Sequence, residues 1–341
     1  MNSIKVGFDI SQLAHIGGVN TYTRNLSQEL LKISDLEMIY FYSSLRKNLE
    51  TNLKNVKKFK LPPTFFELLF HNMRNISIEK FIGPVDVFHS SDWVQPPSKS
   101  RKVTTYHDVI PLKFPQWSHP KIVAVHKKRL EFVEKEIDMV IAVSENTKKD
   151  LLSLTKIPEK KITVIYEGVG SEFQQIGEVE VESFRKKYKL PEKFVLAFGG
   201  VGERKNLDRI KRAARKYELV ISGETIPYVS NEELPLLYNA ATVLMYTTLY
   251  EGFGLPIVES MACGTSVLTS DLAIHREVAG NSNALFANPE DIEDMETKLN
   301  VLMQNTDIRD DLSGKGLLHA SRFRWDTAAN ATAEVYRKLM N

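Results

Sequence analysis

The chain has 341 residues, 43% hydrophobic and 26% charged, with 17 Gly, 14 Pro and a single Cys; this excludes disordered, collagen-like and coiled-coil classes, and the length predicts two domains, each with its own core. One cysteine excludes an intramolecular disulfide framework, and no stretch approaches the ~18 consecutive apolar residues that cross a bilayer. The net charge of +2 conceals a polarity: residues 1–170 carry 25 Lys and Arg against 18 Asp and Glu, while residues 171–341 carry 20 against 25, so the first half is suited to nucleic acid, anionic head groups or a phosphorylated substrate.

Met1-Asn2-Ser3 runs directly into the strand-like Ile4–Asp9 without a charged and apolar leader, which together with the lone cysteine predicts a reducing, cytoplasmic compartment. Short β-branched runs then alternate with helix-like stretches: Lys5–Asp9, Met38–Tyr42, Val56–Lys60, Asp86–His89, Val103–His107, Met139–Val143 and Thr163–Ile165. This alternation predicts βαβ units and a parallel sheet. It resumes with Phe194–Gly199, Leu219–Ser222, Val243–Tyr246, Val267–Thr269 and Ala284–Phe286, so a second parallel sheet is expected after a join near Gly168–Ser171. In open α/β sheets ligands sit beyond the carboxyl ends of the strands, and two such domains in tandem would hold one in the cleft between them. Ser144 is expected to N-cap a helix through Leu151 and Leu152, and Ser230 with Glu233 reads as a capping box ahead of Leu234. The stretch from Phe323 through Leu339 reads as a closing amphipathic helix.

Four clusters at strand ends could carry chemistry. Ala14-His15-Ile16-Gly17-Gly18-Val19-Asn20 joins the first strand to a helix through two glycines, but it is not the GxGxxG of dinucleotide folds. Tyr106-His107-Asp108-Val109-Ile110-Pro111 ends another strand; its imidazole could exchange hydrogen bonds with a sugar hydroxyl, or the pair could simply face solvent. Phe198-Gly199-Gly200-Val201-Gly202-Glu203-Arg204-Lys205-Asn206 brings a forked and a compact cation to one loop, fit for a phosphate, or else opens a solvated basic helix through Arg209, Lys211, Arg212, Arg215 and Lys216. In Tyr246 through Gly264 a glycine loop, Glu251-Gly252-Phe253-Gly254, precedes a helix with Pro256 in its first turn. Backbone N–H groups and the helix dipole there favour an anion, and Glu251 and Glu259 could hold different hydroxyls of a polyol; an ordinary βα junction fits the same residues. Cys263 reads as a packed small hydrophobe, and no G-x-S-x-G elbow, zinc spacing or calcium loop occurs.

Taken in order, Gly17-Gly18, His107–Leu112, Val143–Lys148, Gly199-Gly200 with Arg204-Lys205-Asn206, and Glu251–Pro256 with Glu259 resemble glycosyltransferase family 4, the group 1 retaining transferases, over nearly the whole chain. The resemblance implies a GT-B fold: two Rossmann-like parallel-sheet domains facing each other across a cleft. It implies an acceptor-binding domain over 1–168, a nucleotide-sugar-binding domain over 169–322 and a C-terminal helix, 323–341, that crosses back to the N-terminal domain. The chain runs directly from Arg215 through Leu219–Glu224 to Tyr228 where family members are longer, so the C-terminal domain is expected to be shortened near residues 216–228, where the nucleobase usually docks. Ser266 stands where the family often has Pro.

By the same resemblance, Arg204 and Lys205 hold the donor diphosphate and stabilise it as a leaving group, Glu251 lies near the transferred sugar, and Glu259 binds the donor ribose. Gly252, Phe253, Gly254 and Leu255 offer backbone amides to sugar and diphosphate, His107 contacts a sugar hydroxyl near the anomeric centre, and Gly17 and Gly18 close over the diphosphate. No metal and no cofactor is implied beyond the nucleotide-sugar donor. The implied reaction is retaining transfer of a hexose from GDP-mannose or a UDP-sugar to a glycan, lipid-linked or small-molecule acceptor, and the variant at His107–Leu112 is similar to mannosyltransferases of surface-polysaccharide pathways. A GT-B sugar-nucleotide epimerase or a catalytically silent sugar-nucleotide-binding subunit are the alternatives.

The acceptor side is less legible. Val56–Arg74 combines lysines with a Phe/Leu-rich stretch that could lie against an anionic membrane at the inner face and meet a lipid-linked acceptor. A core helix burying Phe65, Leu68 and Leu69 on one face is the favoured reading. Nucleic acid is not expected as a partner, since no binding motif or aromatic stacking pattern accompanies the charge.

Overall fold

The computed structural model describes residues 3–15, 17–200 and 202–341; Met1, Asn2, Ile16 and Val201, quoted in the motifs above, lie outside them. The chain forms two compact units, one of residues 1–168 with 325–341 and one of residues 169–324.

The first unit is built on seven parallel strands: β1 (Ile4–Asp9), β2 (Leu36–Ser43), β3 (Val56–Phe59), β4 (Val87–Ser90), β5 (Arg101–Tyr106), β6 (Met139–Ala142) and β7 (Ile162–Val164), in the order β3-β2-β1-β4-β5-β6-β7. All seven apolar runs of the first half are therefore strands of one sheet. Helices cover both faces, which explains why central strands such as β4 and β6 are buried throughout and read as unbroken apolar runs rather than alternating ones. Helix Gly18–Leu30 buries Tyr22, Leu26 and Leu30, and the terminal helix Trp325–Met340 packs on it through Trp325, Ala328, Ala329, Ala333 and Tyr336. That helix is pinned to the unit near its C-terminal end. The Tyr336 hydroxyl meets His89 Nδ1 at 2.7 Å, and Arg337 grips Asp35 with two contacts of 2.7 Å.

The second unit carries five parallel strands, β8 (Val195–Phe198), β9 (Leu219–Ser222), β10 (Val243–Tyr246), β11 (Ser266–Ser270) and β12 (Leu285–Ala287), in the order β12-β11-β10-β8-β9. Its core joins Val195, Ile210, Ile221, Val243, Met245 and Leu268 to Met295, Leu299 and Leu302 of helix Ile292–Gln304. After β9 the chain reaches β10 with only the helix Leu234–Ala240 between them.

Three local expectations need correction. Ser144 does cap helix Glu145–Leu154, accepting the Thr147 amide at 3.0 Å, but the Ser230/Glu233 capping box does not form: Glu233 turns its carboxylate to Lys187 and Tyr188, at 2.6 and 2.9 Å, and the Ser230 carbonyl takes the turn amides instead. The basic helix stops at Ala213, and Arg215 and Lys216 pair with Glu296 beyond it. In the Phe/Leu-rich segment the buried side is Phe66, Leu69 and Phe70, whereas Phe65 and Leu68 are 40% and 51% exposed. A cluster of Phe41, Ile82, Phe88 and Phe81 takes up the Phe66–Phe70 side, so a one-residue shift in the helical stripe exchanges core for surface.

Gly199 marks a close backbone approach in the second sheet. Its amide donates to the Ser222 carbonyl at 2.9 Å, and a Cβ placed on it would stand 2.9 Å from that same oxygen. Gly199→Ala is therefore expected to cost about 1–3 kcal/mol, because a ladder carbonyl cannot move aside as a side chain can; a urea denaturation midpoint equal to that of the parent chain would contradict it.

Candidate active site

β8 and β10 are neighbours, so the loops leaving their carboxyl ends are neighbours too. The first loop ends in a single 3-10 turn, Glu203–Lys205, and Asn206 closes it in the left-handed region at φ 58°, which Asn tolerates better than most residues. The buried Asn206 amide donates to the carbonyls of Thr247 and Pro289, at 2.8 and 2.7 Å, and the Leu249 amide donates to the Arg204 carbonyl at 2.8 Å. The two loops are thereby tied into one piece. His275, fully buried, secures the second from behind: its Nδ1 accepts the Ser270 amide at 3.2 Å and its Nε2 lies 3.3 Å from the Thr248 hydroxyl. Burial lowers its pKa to about 4, so this imidazole is neutral.

At the junction, one oxygen of Glu251 collects three donors. Arg204 Nη1 lies at 2.8 Å, the Tyr246 hydroxyl at 2.7 Å and Lys205 Nζ at 3.1 Å. The three charged side chains are only 13–27% exposed. Burial alone would raise the Glu251 pKa; Lys205 and Arg204, with the Tyr246 hydrogen bond, outweigh it and leave the value at about 2. Glu251 is consequently a permanent carboxylate that can accept hydrogen bonds and balance positive charge but has no proton to give. Two cations against one anion leave the cluster net positive, inside the acidic half of the chain.

The glycine loop behaves as its spacing predicts. Gly254 adopts φ 98° and ψ 51° and caps helix Leu255–Ala262, with Pro256 in the first turn. Gly252, Phe253 and Leu255 are buried beside it. One turn further, Glu259 points inward at 6% exposure and accepts from the Tyr238 hydroxyl at 2.8 Å. At the end of the same helix, burial and the Glu259 charge push the Cys263 thiol up, which removes it as a nucleophile.

In the first unit His107 stands just past β5, its side chain 12% exposed, with Nδ1 at 3.1 Å from Oε1 of Glu167 and the Tyr22 ring edge-on at 4.5 Å. Its sequence neighbour Asp108 instead accepts the Ile110 amide at 2.8 Å. Burial would lower the His107 pKa, but the Glu167 hydrogen bond and charge, with lesser help from Asp92 and Asp108, raise it. The sequence gives little sign of Glu167, 60 positions away; the one available hint is a lone acidic residue in the short run that follows the last strand of the first sheet. Gly17, at φ 124°, and Gly18 open helix Gly18–Leu30 at the same sheet edge, both exposed, and Asn20 steadies that turn by donating to the carbonyls of Leu13 and His15 at 3.1 and 2.8 Å. Arg204, Lys205 and Glu251 therefore meet in the second unit with Glu259 and the glycine loop nearby, and His107 and Gly17-Gly18 belong to the first. Among the described residues no group of three or more His, Cys, Asp or Glu side chains could hold a metal ion, and no helix is long and apolar enough to cross a membrane.

Residues 153–317 match the family model for glycosyl transferases group 1, and residues 16–173 match that for glycosyltransferase family 4. O-antigen chain mannosyltransferase B of Escherichia coli is 26% identical over 291 residues, 74% of this chain and 74% of its own length. The serotype-specific mannosyltransferase WbdA of Escherichia coli is 25% identical over 70% of this chain, which spans about a third, 34%, of that longer protein. Among solved structures, sucrose-phosphate synthase from Thermosynechococcus elongatus superposes with a TM-score of 0.78 at 17% identity, covering 99% of each chain.

The His107–Glu167 pair carries a pH signature. Because the folded pKa of His107 is raised, the stability it contributes is complete below the ordinary histidine value of 6.5 and is lost as pH rises through the folded value. Glu167→Gln is expected to lower the His107 pKa and to flatten the stability–pH curve over that window. Titration of the imidazole Cε1 proton by NMR reads it, and a His107 titration unmoved by the replacement would refute the pairing.

Proposed function

Since the chain belongs to the group 1 glycosyltransferases of family 4, with their two-sheet GT-B fold, we propose that it transfers a hexose, with retention of configuration, from a nucleotide-diphosphate sugar to a glycan or lipid-linked acceptor. GDP-mannose is the favoured donor, a UDP-sugar the second choice. The similarity to an O-antigen chain mannosyltransferase supports mannose and a growing polysaccharide as acceptor.

The observation that carries this reading is the buried cluster in which Arg204, Lys205 and Tyr246 converge on a single Glu251 oxygen. Departure of a nucleoside diphosphate places new negative charge on the β-phosphate, and cations already fixed by the protein stabilise that charge without reorganising. Arg204 meets the diphosphate as a fork and Lys205 as a point charge. The amides of Gly252, Phe253, Gly254 and Leu255, at the start of helix Leu255–Ala262, add donors, and Glu259 takes the ribose hydroxyls. Positive charge for the leaving group thus comes from this chain's own side chains.

Glu251, always ionised, accepts from the hydroxyls of the transferred sugar and balances the positive charge that develops at its anomeric carbon. The acceptor hydroxyl attacks from the face the diphosphate leaves, its proton passing to the departing phosphate oxygen. His107, held by Glu167, donates to a sugar hydroxyl, and Gly17-Gly18 supply a loop that approaches the diphosphate.

The acceptor-side unit also carries Phe65, Leu68 and Met73 at 40%, 51% and 54% exposure, next in sequence to the exposed Lys54, Lys57, Lys58 and Lys60. Apolar side chains flanked by lysines fit a peripheral contact with an anionic membrane at its cytoplasmic face. Flotation with vesicles containing phosphatidylglycerol is expected to carry the protein upward at low salt, and less so after Phe65→Ser with Leu68→Ser; no flotation at low salt would remove the contact.

Lys205→Ala and Arg204→Ala are each expected to lower kcat by about 10²–10³, and NMR of the product should show the anomeric configuration of the donor. Undiminished kcat in both variants would support a different or silent site, and an inverted anomer would exclude the same-face mechanism.

A further inference from the structure

The last helix of the chain reaches the histidine site through a line of buried polar groups that neither the donor cluster nor the Glu167 pair uses. Successive residues of a strand point to opposite faces. In β4, Phe88 joins the aromatic cluster of Phe41 and Phe66, and His89 turns the other way, to Tyr336 of helix Trp325–Met340. The His89 imidazole is fully buried. Its Nδ1 stands 2.7 Å from the Tyr336 hydroxyl and its Nε2 2.9 Å from the Thr105 hydroxyl of β5, which in turn lies 3.0 Å from the Tyr22 hydroxyl. Four side chains, each no more than 3% exposed, thus form one unbroken hydrogen-bonded line from the terminal helix to helix Gly18–Leu30.

Apolar side chains of the same size would fill this space at no cost in lost hydration, whereas each buried hydroxyl or ring nitrogen needs its partner in place. Burial lowers the His89 pKa to about 3 and raises those of Tyr22 and Tyr336, so all three are neutral. A neutral imidazole has one donor and one acceptor, so its two bonds run in a single sense through the ring and hold it in one orientation. The line ends on Tyr22, against which His107 packs with ring centroids 4.5 Å apart and planes at 82°. Trp325, the first residue of the terminal helix, packs on the same Tyr22 ring at 5.8 Å. Glu167 holds His107 at one atom, Nδ1, and a ring held at one atom can still pivot; the Tyr22 ring supplies the second contact. The charged groups that act on His107 are Glu167, Asp92 and Asp108, and none of them belongs to the line.

We propose that the terminal helix is a positioning element of the His107 site: Tyr336, through His89 and Thr105, fixes Tyr22, and Tyr22 sets the imidazole against Glu167 so that Nε2 is the nitrogen presented to a sugar hydroxyl. Tyr336, His89, Thr105 and Tyr22 are positioning residues, acting only through the histidine. The assignment rests on the reading of His107 as the histidine that donates to the sugar.

Tyr336→Phe, Thr105→Val and Thr105→Ser in the full chain test it, with the His107 Cε1 proton titrated by NMR and kcat and KM measured on the donor that the chain turns over, GDP-mannose or a UDP-sugar. Because Glu167 raises the His107 pKa, a loosened ring is expected to titrate closer to 6.5. Tyr336→Phe and Thr105→Val are each expected to show that fall and to lower kcat by about tenfold with KM little changed, whereas Thr105→Ser, which keeps the hydroxyl, should match the parent in both. A loss of stability alone, with the His107 titration of the parent retained in Tyr336→Phe and Thr105→Val, would overturn the proposal, as would Thr105→Ser behaving like Thr105→Val. If Thr105→Val does not unfold cooperatively, Tyr336→Phe, which removes one oxygen atom from the far end of the line, decides alone. His107→Ala keeps the two readings apart: undiminished kcat in that variant would refute the part given to the histidine, whereas a large loss there beside parental kcat in Tyr336→Phe would refute the positioning line and leave the histidine's part intact.

Discussion

A carboxylate buried with two cations and a tyrosine hydroxyl has to be assembled from more than one part of the chain, and most of the second unit is arranged to do this. Arg204 and Lys205 come from the end of β8 and Glu251 from the end of β10, strands that are adjacent only because the sheet crosses over. Removing water from such charges costs several kcal/mol per ion unless geometry and hydrogen bonds compensate. The compensation is visible around the cluster: Asn206 joins the two loops through the carbonyls of Thr247 and Pro289, a neutral His275 fixes Thr248, and the Leu249 amide takes the Arg204 carbonyl. An ion cluster held this firmly, yet still 13–27% exposed, combines fixed geometry with access from solvent.

The two units solve different electrostatic problems. In the second, an acidic half concentrates two cations at one point, and Glu251 remains ionised with a pKa of about 2. In the first, a basic half holds a buried histidine whose partner Glu167 raises its pKa. The paired cations of the second unit suit a leaving diphosphate; the histidine of the first suits a neutral hydroxyl that needs a donor.

The central strands were legible because parallel strands buried on both faces leave unbroken β-branched runs, whereas the edge strand β3, with Lys57 and Lys58 exposed, is legible only from its place in the alternation. The members of the Arg204–Lys205–Glu251 cluster were legible for a related reason: they lie at the ends of those runs, beside glycines that need unusual backbone conformations, such as Gly254 at φ 98°. What escaped was set by tertiary contacts. Glu167 gains its role from His107, 60 positions away, and His275 from Thr248, 27 positions away, and Glu233 abandons its cap because Lys187 and Tyr188 are within reach. Phe65 and Phe66 differ by one step around a helix, so periodicity alone could not decide which faced the aromatic cluster.

The central claim is that Arg204 and Lys205 form a ready-made diphosphate site whose positive charge comes from protein side chains. Calorimetric titration of GDP, UDP and ADP in the presence of EDTA tests it most directly. One nucleotide is predicted to bind in the micromolar range, and Arg204→Met or Lys205→Met to weaken it by about tenfold or more. Binding by none of the three, or binding that survives both replacements undiminished, would contradict it.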